Sequence, residues 1–188
     1  MSKASQFIIL CEDRLHEVFV RRFLKKCCGT QSRVINCIPL PAGNGCGEQH
    51  VRARYPNEVR AYRGRQSKAV TVLIVVIDAD NETVENRQLQ LDSAAKSAGL
   101  PPRDISELIV YLIPKRHIET WLAFFDNSDD VNETEKYKPQ YSFHKRESEA
   151  HLLIDKFTEM FRQHQQPSNS LPSLVQAFDE LKRLPKIL

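Results

Sequence analysis

Long apolar segments are missing from this chain of 188 residues. None of its apolar runs approaches the roughly 18–20 residues that a membrane-spanning helix needs. The apolar stretch near the N-terminus is very short and stops at the acidic pair Glu12 and Asp13, which is unlike a secretory signal peptide. We therefore expect a cytoplasmic protein with no membrane partner.

Cysteine motifs for metal binding are also missing. The chain has five cysteines, all in its first quarter, and no two of them form a Cys-x-x-Cys pair: Cys11, Cys27, Cys28, Cys37 and Cys46. This spacing argues against a structural zinc site. Reduced thiols in a cytoplasmic protein are the simpler interpretation.

Internal repeats, low-complexity tracts and common nucleotide-binding motifs are absent as well. The segment PAGNGCGEQH contains Gly43, Gly45 and Gly47, but it is neither a Walker A motif nor a GxGxxG motif after the first strand. It reads more readily as a turn than as a loop whose backbone amides approach a phosphate. The length suits one domain with a small appendage, and the net charge of +3 is only weak evidence for a polyanionic partner.

The chain does contain four short apolar runs that alternate with helical patterns. The runs cover 7–11, 33–39, 69–77 and 108–114, and the third is β-branched and apolar on both faces. Alternation of this kind predicts a parallel sheet covered by helices. We expect an α/β, Rossmann-like fold whose mainly parallel sheet has four strands or slightly more.

Helical patterns define the rest of the organisation. Apolar residues at helical spacing predict helices over about 14–26 and 82–98 and a helix start in RHIETWLAFF, while Pro56 is expected to divide 48–65 into two helical pieces. We expect three segments in chain order, an α/β domain, a polar loop or lid, and a C-terminal helical appendage packed on the same domain: 5–125, 126–146 and 147–188.

Polar residues gather where the predicted strands end. They are, in chain order, Glu12 and Asp13, the glycine-rich segment, Asp78 and Asp80, and then Lys115, Arg116, His117 and Glu119. In an open α/β sheet, ligands bind outside the carboxyl ends of the strands. All four strands therefore deliver carboxylates, cations or glycines to one edge.

Asp78 and Asp80 raise the question of what compensates two charges directly after the most apolar run. Because they alternate, they cannot both point into one core face. At a strand end both can reach a shared ion, with Glu12 approaching from the neighbouring strand. Three close carboxylates would raise one another's pKa values unless a cation neutralised them. Mg²⁺ prefers oxygen ligands, so Glu12, Asp78 and Asp80 are the predicted metal ligands.

Several acidic residues also have a structural interpretation. Asp13 could cap the first helix and Asp80 the third, and Glu119 lies in a first helical turn, where acidic residues suit the helix dipole. Glu12 and Asp78 are less easily explained in this way. Trp121 is more consistent with a core residue than with one that stacks on a ligand.

A basic segment after the glycine-rich loop favours a nucleic-acid partner. Its cations are Arg52, Arg54, Arg60, Arg63, Arg65 and Lys68. Such clusters attract phosphate backbones without sequence preference, and the interleaved Tyr55 and Tyr62 could stack on bases. A solvated helix face is the open alternative. The predicted substrate contacts are Arg52, Arg54, Arg60 and Arg63, with Arg116 from the strand edge.

Two acidic motifs in this order resemble the Toprim domain of topoisomerases, primases and overcoming-lysogenisation-defect nucleases. The matching stretches are FIILCEDRLHEVFVRRFL and VLIVVIDADNETV, and PKRHIETWLAFF is similar to a segment of small bacterial Toprim-like proteins. The resemblance covers roughly residues 5–125. It implies that Glu12 is a metal ligand or general acid/base, that Asp78 and Asp80 bind Mg²⁺, and that Glu119 lies near the metal.

The chain departs from this family at two positions. Asp13 stands where the family usually has glycine, and His16 stands where many nuclease members carry a second acidic residue, with Glu17 next along. These departures favour one firmly bound metal over a two-metal site.

The combined expectation is a Toprim-type nuclease, dependent on Mg²⁺ or Mn²⁺, that hydrolyses phosphodiester bonds in DNA or RNA. A carboxylate-held metal activates water and neutralises phosphate charge. Lys115 could stabilise developing charge or be a solvated loop residue, and His117 could contact phosphate or only face solvent. The resemblance also implies a link to phage defence or mobile elements.

Two other functions stay open. The chain could be a nucleic-acid-binding or effector subunit that needs a protein partner, such as an ATPase, for activity. It could also be a receiver-like signalling module, which Glu12, Asp13, Asp78 and Lys115 fit loosely. The extra Asp80 and the long insertion between the second and third strands argue against the signalling module.

Overall fold

The computed structural model describes residues 6–40, 47–126, 131–141, 147–167 and 171–185. In these residues four strands form one sheet: β1 (Gln6–Cys11), β2 (Ile35–Cys37), β3 (Thr71–Val76) and β4 (Ile109–Leu112). All neighbouring strands are parallel, in the order β2-β1-β3-β4. The predicted α/β fold with a four-stranded parallel sheet is confirmed. Gly43 and Gly45 lie outside the described residues.

Six α-helices among the described residues flank the sheet: α1 (Arg14–Cys28), α2 (Gly47–Arg65), α3 (Val84–Ser97), α4 (Ile118–Asp126), α5 (Glu147–Arg162) and α6 (Pro172–Leu181). Side chains of each strand alternate between the two faces. Leu10 and Val75 pack with α2 and α3, whereas Ile9 and Val76 pack with the other helices. None of the described helices has the length and apolar character needed to cross a membrane.

Pro56 lies inside α2 and does not divide it, so the prediction of two helical pieces is wrong. A proline in a helix interior removes a backbone hydrogen bond and costs about 3 kcal/mol. Side chains on both sides of the proline are buried against the sheet: Val51, Tyr55, Val59 and Tyr62. Burying a large apolar side chain contributes about 1.5–3 kcal/mol, so their combined burial offsets the lost hydrogen bond.

The C-terminal helices cover one face of the sheet. Phe157 of α5 lies in an aromatic cluster, with its ring centroid 4.8 Å from that of Phe19 on α1 and 5.1 Å from that of Phe178 on α6. Trp121 of α4 is buried in the same cluster, and its indole donates to the Ser173 hydroxyl at 2.9 Å. The interpretation of Trp121 as a core residue is confirmed, and α5 and α6 share one hydrophobic core with the sheet.

The polar stretch between α4 and α5 is described only over 131–141. Val131 and Tyr137 are buried there, and the Tyr137 hydroxyl accepts a hydrogen bond from the backbone N–H of Asn132 at 3.1 Å. The carbonyl of Thr134 accepts a hydrogen bond from Arg116 at 3.1 Å. These contacts hold the stretch beside the loop that follows β4.

Candidate metal centre

Asp78 is held at the carboxyl end of β3 by groups from α1 and from the start of α4. The residue is 3% exposed. Its Oδ1 lies 3.0 Å from His16 Nε2 and accepts a hydrogen bond from the backbone N–H of Ile118 at 3.1 Å. Its Oδ2 lies 3.3 Å from His117 Nδ1. Protein groups therefore compensate the charge that directly follows the most apolar strand.

Asp78 and His16 form a buried ion pair. Burial alone would raise the pKa of Asp78, but the charges and hydrogen bonds of His16 and His117 together outweigh burial and lower that pKa to about 2. Burial would likewise lower the pKa of His16, but the carboxylates of Asp78 and Asp13 raise it to about 10. Both partners are charged at neutral pH. The chain thus has a cation at the position where the resembled family often has a further acid.

Glu12 contacts Asp78 through the backbone. Its Oε1 accepts a hydrogen bond from the backbone N–H of Asp78 at 2.7 Å. Burial and, next, the charge of Asp78 raise the pKa of Glu12 to about 7. Glu12 can therefore exchange a proton near neutral pH, the range in which a general acid or base is most effective.

Three side chains at this edge bring metal-ligating atoms together. Asp78, Asp80 and His117 each offer one such atom, and these atoms lie within 4.8 Å of one another. His117 Nδ1 is 3.5 Å from Asp80 Oδ1. Two of the three predicted ligands therefore meet, while Glu12 is not part of this group. His117, for which sequence analysis considered only phosphate or solvent, is the third member.

The backbone at Asp80 is held in an uncommon conformation. Asp80 has a φ of 54° and Arg116 a φ of 67°, and the Asp80 N–H donates to the Arg116 carbonyl at 3.2 Å in an isolated bridge. Residues other than glycine rarely adopt this left-handed backbone conformation, and such strain persists only where surrounding contacts impose it. The bridge sets Asp80 opposite His117, the residue after Arg116.

The N-caps of α1 and α3 show whether Asp13 and Asp80 are helix-capping residues. Asp13 caps α1, because its Oδ1 accepts a hydrogen bond from the backbone N–H of His16 at 3.0 Å. Thr83 rather than Asp80 caps α3, because its Oγ1 accepts from the backbone N–H of Asn86 at 3.1 Å. The cap interpretation is confirmed for Asp13 and wrong for Asp80, whose side chain is 46% exposed.

Glu119 and Lys138 add a second acid and a cation beside the cluster. Glu119 is buried in the first turn of α4, and burial followed by the charge of Asp78 raises its pKa. Lys138 is exposed, and the carboxylates of Glu119 and Asp78 raise its pKa. Sequence analysis missed Lys138 because it lies in a polar stretch without periodicity, where no strand end marks it.

Lys115 and Arg116 connect the loops around the cluster. The Lys115 ammonium donates to the carbonyl of Glu82. Arg116 donates to the carbonyl of Thr134 at 3.1 Å and to the Asn81 side chain. Both predicted site residues are therefore tied to the loop after β3 or to the stretch 131–141.

Four of the arginines of α2 have side-chain partners within the chain. Three of them pair with carboxylates at N–O distances of 2.5, 3.1 and 2.6 Å: Arg52 with Glu48, Arg54 with Glu58, and Arg63 with Glu107. Arg60 donates to Asn57 at 3.1 Å. Tyr55 and Tyr62 are 1% and 2% exposed, so the prediction that they stack on bases is wrong. Helical periodicity turns both rings toward the sheet.

Comparison with known proteins adds no assignment. No protein-family model matches the chain, and comparisons with curated proteins and with solved structures gave no match. The resemblance to Toprim domains therefore rests on the quoted motifs alone, and any function rests on the geometry of the sheet edge.

Gly47 allows α2 to start against Glu12, which gives a matched pair of substitutions in one helix. A Cβ on Gly47 would lie 2.8 Å from Glu12 Cβ and 2.9 Å from the Glu12 carbonyl oxygen, whereas a Cβ on Gly64 would meet nothing within 4 Å. We expect Gly47→Ala to lower the free energy of unfolding by about 1–3 kcal/mol. Gly64→Ala should raise it by about 0.4–1 kcal/mol. Urea denaturation of both variants measures this difference, and equal effects would contradict the close approach to Glu12.

Proposed function

We propose that the protein is a metal-dependent phosphodiesterase that acts on nucleic acid, with Mg²⁺ or Mn²⁺ held by Asp78, Asp80 and His117. The supporting observation is that three ligating atoms lie within 4.8 Å of one another at the carboxyl edge of a parallel sheet. Two carboxylates suit these cations, and an imidazole is a common further ligand. Such a cation, when bound, acidifies a water molecule and neutralises charge on a phosphate.

The residues around the three ligands support this chemistry. Glu12, whose pKa burial and Asp78 raise to about 7, is suited to take a proton from the attacking water or to give one to the leaving oxygen. Lys138 is an exposed cation whose pKa the carboxylates of Glu119 and Asp78 raise further, and it is suited to contact the phosphate. The hydrogen bond to Asp78 raises the pKa of His117, so His117 becomes an available ligand as the pH rises.

The nucleic-acid part of the proposal depends on the cations of α2. Arg54 and Arg60 are exposed on this helix, close in sequence to the less exposed Arg52 and Arg63. Surface pairs between arginine and carboxylate are worth about 0–1 kcal/mol. The carboxylates paired with Arg52, Arg54 and Arg63 are not surface groups, because their side chains are 14%, 9% and 16% exposed, and each would be left largely buried without that cation. Arg60, which donates to the neutral amide of Asn57, is therefore the arginine that a phosphate can engage at the lowest cost.

The same arginine pairs favour a second candidate function, a subunit that needs a protein partner. Arg63 is committed to Glu107 by two hydrogen bonds of 2.6 and 2.9 Å and also donates to the carbonyl of Pro101 at 3.1 Å. A chain whose arginines are already paired with its own carboxylates and carbonyls is expected to bind nucleic acid weakly when it acts alone. Under this candidate, a partner such as an ATPase supplies substrate binding. Asp78 is buried, and its Oδ1 is already in hydrogen-bond contact with His16 and with the backbone N–H of Ile118. These contacts give no support to a receiver-like module in which Asp78 accepts a phosphoryl group.

Asp80→Asn tests the phosphodiesterase directly. Asparagine tolerates the left-handed backbone that Asp80 adopts, so the variant removes one ligand charge without adding backbone strain. We expect wild-type protein to cut at least one of labelled single- or double-stranded DNA and RNA with Mg²⁺ or Mn²⁺, and Asp80→Asn to lower the rate at least about 10-fold. Asp179→Asn on α6 changes charge equally but lies outside the cluster, so it should cut normally.

The outcomes separate the two candidates. Equal cutting by wild type and Asp80→Asn would refute a role of this cluster in catalysis. Folded wild-type protein that binds Mn²⁺, as measured by calorimetry, but cuts no substrate would favour the partner-dependent subunit. Absence of both cutting and Mn²⁺ binding would overturn the metal centre itself.

A further inference from the structure

Two cysteines lie in contact where β1 and the edge strand β2 end. Cys11 is the last residue of β1 and Cys37 the last residue of β2, and their Sγ atoms are 3.8 Å apart. Cys37 is in register with Ile9, and Ile9 and Cys11 point to the same face of the sheet. The two thiols therefore lie on the same face of the sheet on neighbouring strands, and Cys11 is two residues further along β1 than the position opposite Cys37.

The two thiols differ in how solvent can reach them. Cys11 is buried, whereas Cys37 is partly exposed on an edge strand of only three residues. The contact between the two thiols lowers the pKa of Cys37 and raises the pKa of Cys11. Cys37 is therefore the thiol that an oxidant meets first, and Cys11 is the thiol behind it.

We propose that Cys11 and Cys37 form a disulfide bond when hydrogen peroxide reaches the end of the edge strand. The Cys37 thiolate attacks one peroxide oxygen, so that an S–O bond forms and the O–O bond breaks. The other oxygen leaves as hydroxide and takes up the proton that the Cys37 thiol released, which gives water. The Cys11 sulfur then attacks the Cys37 sulfenic acid. The S–S bond forms, the S–O bond breaks, and the departing hydroxide takes the Cys11 proton to give a second water. Peroxide gains the two electrons that the thiols lose.

The disulfide requires a local movement that this part of the fold can supply. A disulfide bond is about 2.05 Å long, so the sulfurs must approach from the observed 3.8 Å. The edge strand β2 pairs with one neighbour only and over three residues, which allows it to shift. Cys27 and Cys28, the other neighbouring pair, are consecutive in α1 and have no comparable freedom.

The test uses a chain in which only these two cysteines are left. We expect the variant C27S/C28S/C46S, treated with hydrogen peroxide, to lose both alkylatable thiols and about 2 Da, and dithiothreitol to reverse this. Adding Cys37→Ser should abolish the loss of 2 Da. A gain of oxygen mass on Cys37 without crosslinking, or two thiols that stay alkylatable, would overturn the proposal. If the triple variant fails to fold, peptide mapping of peroxide-treated wild-type protein for a Cys11–Cys37 crosslink gives the same decision.

Discussion

Asp78→Ala is expected to lower the free energy of unfolding by about 3–5 kcal/mol, because it removes the nearest carboxylate from buried His16 and leaves only Asp13 Oδ1, 3.7 Å from the other ring nitrogen. His16 is fully buried and its charge is paired with Asp78 Oδ1 at 3.0 Å. The Ile118 N–H also loses its acceptor. Urea denaturation at neutral pH measures the change, and Asp80→Asn is the matched control, with an expected effect within about 0.5 kcal/mol.

A second substitution isolates the ion pair as the cause. His16→Gln in the Asp78→Ala background removes the buried charge, so the double variant should be more stable than Asp78→Ala alone. The coupling energy from such a double-mutant cycle should be on the order of 1–3 kcal/mol. If His16→Gln destabilises the Asp78→Ala background as much as it destabilises wild type, the pair is not charged in the folded protein. Loss of activity in Asp78→Ala alone could not assign a metal ligand, because the same change weakens the fold.

The sequence was sufficient to predict the sheet and the edge at which its polar residues gather. The β-branched runs around β1, β3 and β4 are buried on both faces and short, which leaves a parallel sheet as the consistent arrangement. In such a sheet the carboxyl ends of the strands lie at one edge. The sequence alone therefore predicts that Asp78 and Asp80 lie near the residues that follow β4. Gly29 follows α1 with a φ of 57°, the left-handed conformation that glycine adopts readily at the end of a helix.

The contacts between individual side chains at this edge could not be predicted in the same way. His16 looked like a missing acid, because the pairing of α1 with the end of β3 joins residues 62 positions apart. His117 looked like a solvent or phosphate contact, and its approach to Asp80 depends on the bridge between two left-handed residues, which composition does not reveal. Tyr55 and Tyr62 were expected to be available for stacking on bases, because a segment with so many basic residues does not show clearly which face of the helix is buried.

The stability of the protein is expected to fall as the pH rises above neutral, and His16 is the cause. The ordinary pKa of histidine is 6.5, and Asp78 raises that of buried His16 to about 10. A raised pKa means that the folded state holds its proton more tightly. The contribution of His16 to the free energy of unfolding is therefore complete below pH 6.5. It is lost as the pH rises toward 10, with a slope of up to about 1.4 kcal/mol per pH unit.

His16→Gln separates this effect from the other titrating groups. Glu12, with a pKa raised from 4.5 to about 7, also favours the protonated folded state, but its loss of stability falls between those two values. Comparison of wild type and His16→Gln at about pH 8–10 therefore reports on the histidine, and the difference between their free energies of unfolding should shrink steadily. The partner Asp78, with a pKa lowered to about 2, stays ionised throughout. A constant difference over this range would mean that His16 is neutral in the folded protein. The acidic edge would then lack the positive charge that compensates Asp78, and a bound cation would become the simplest source of it.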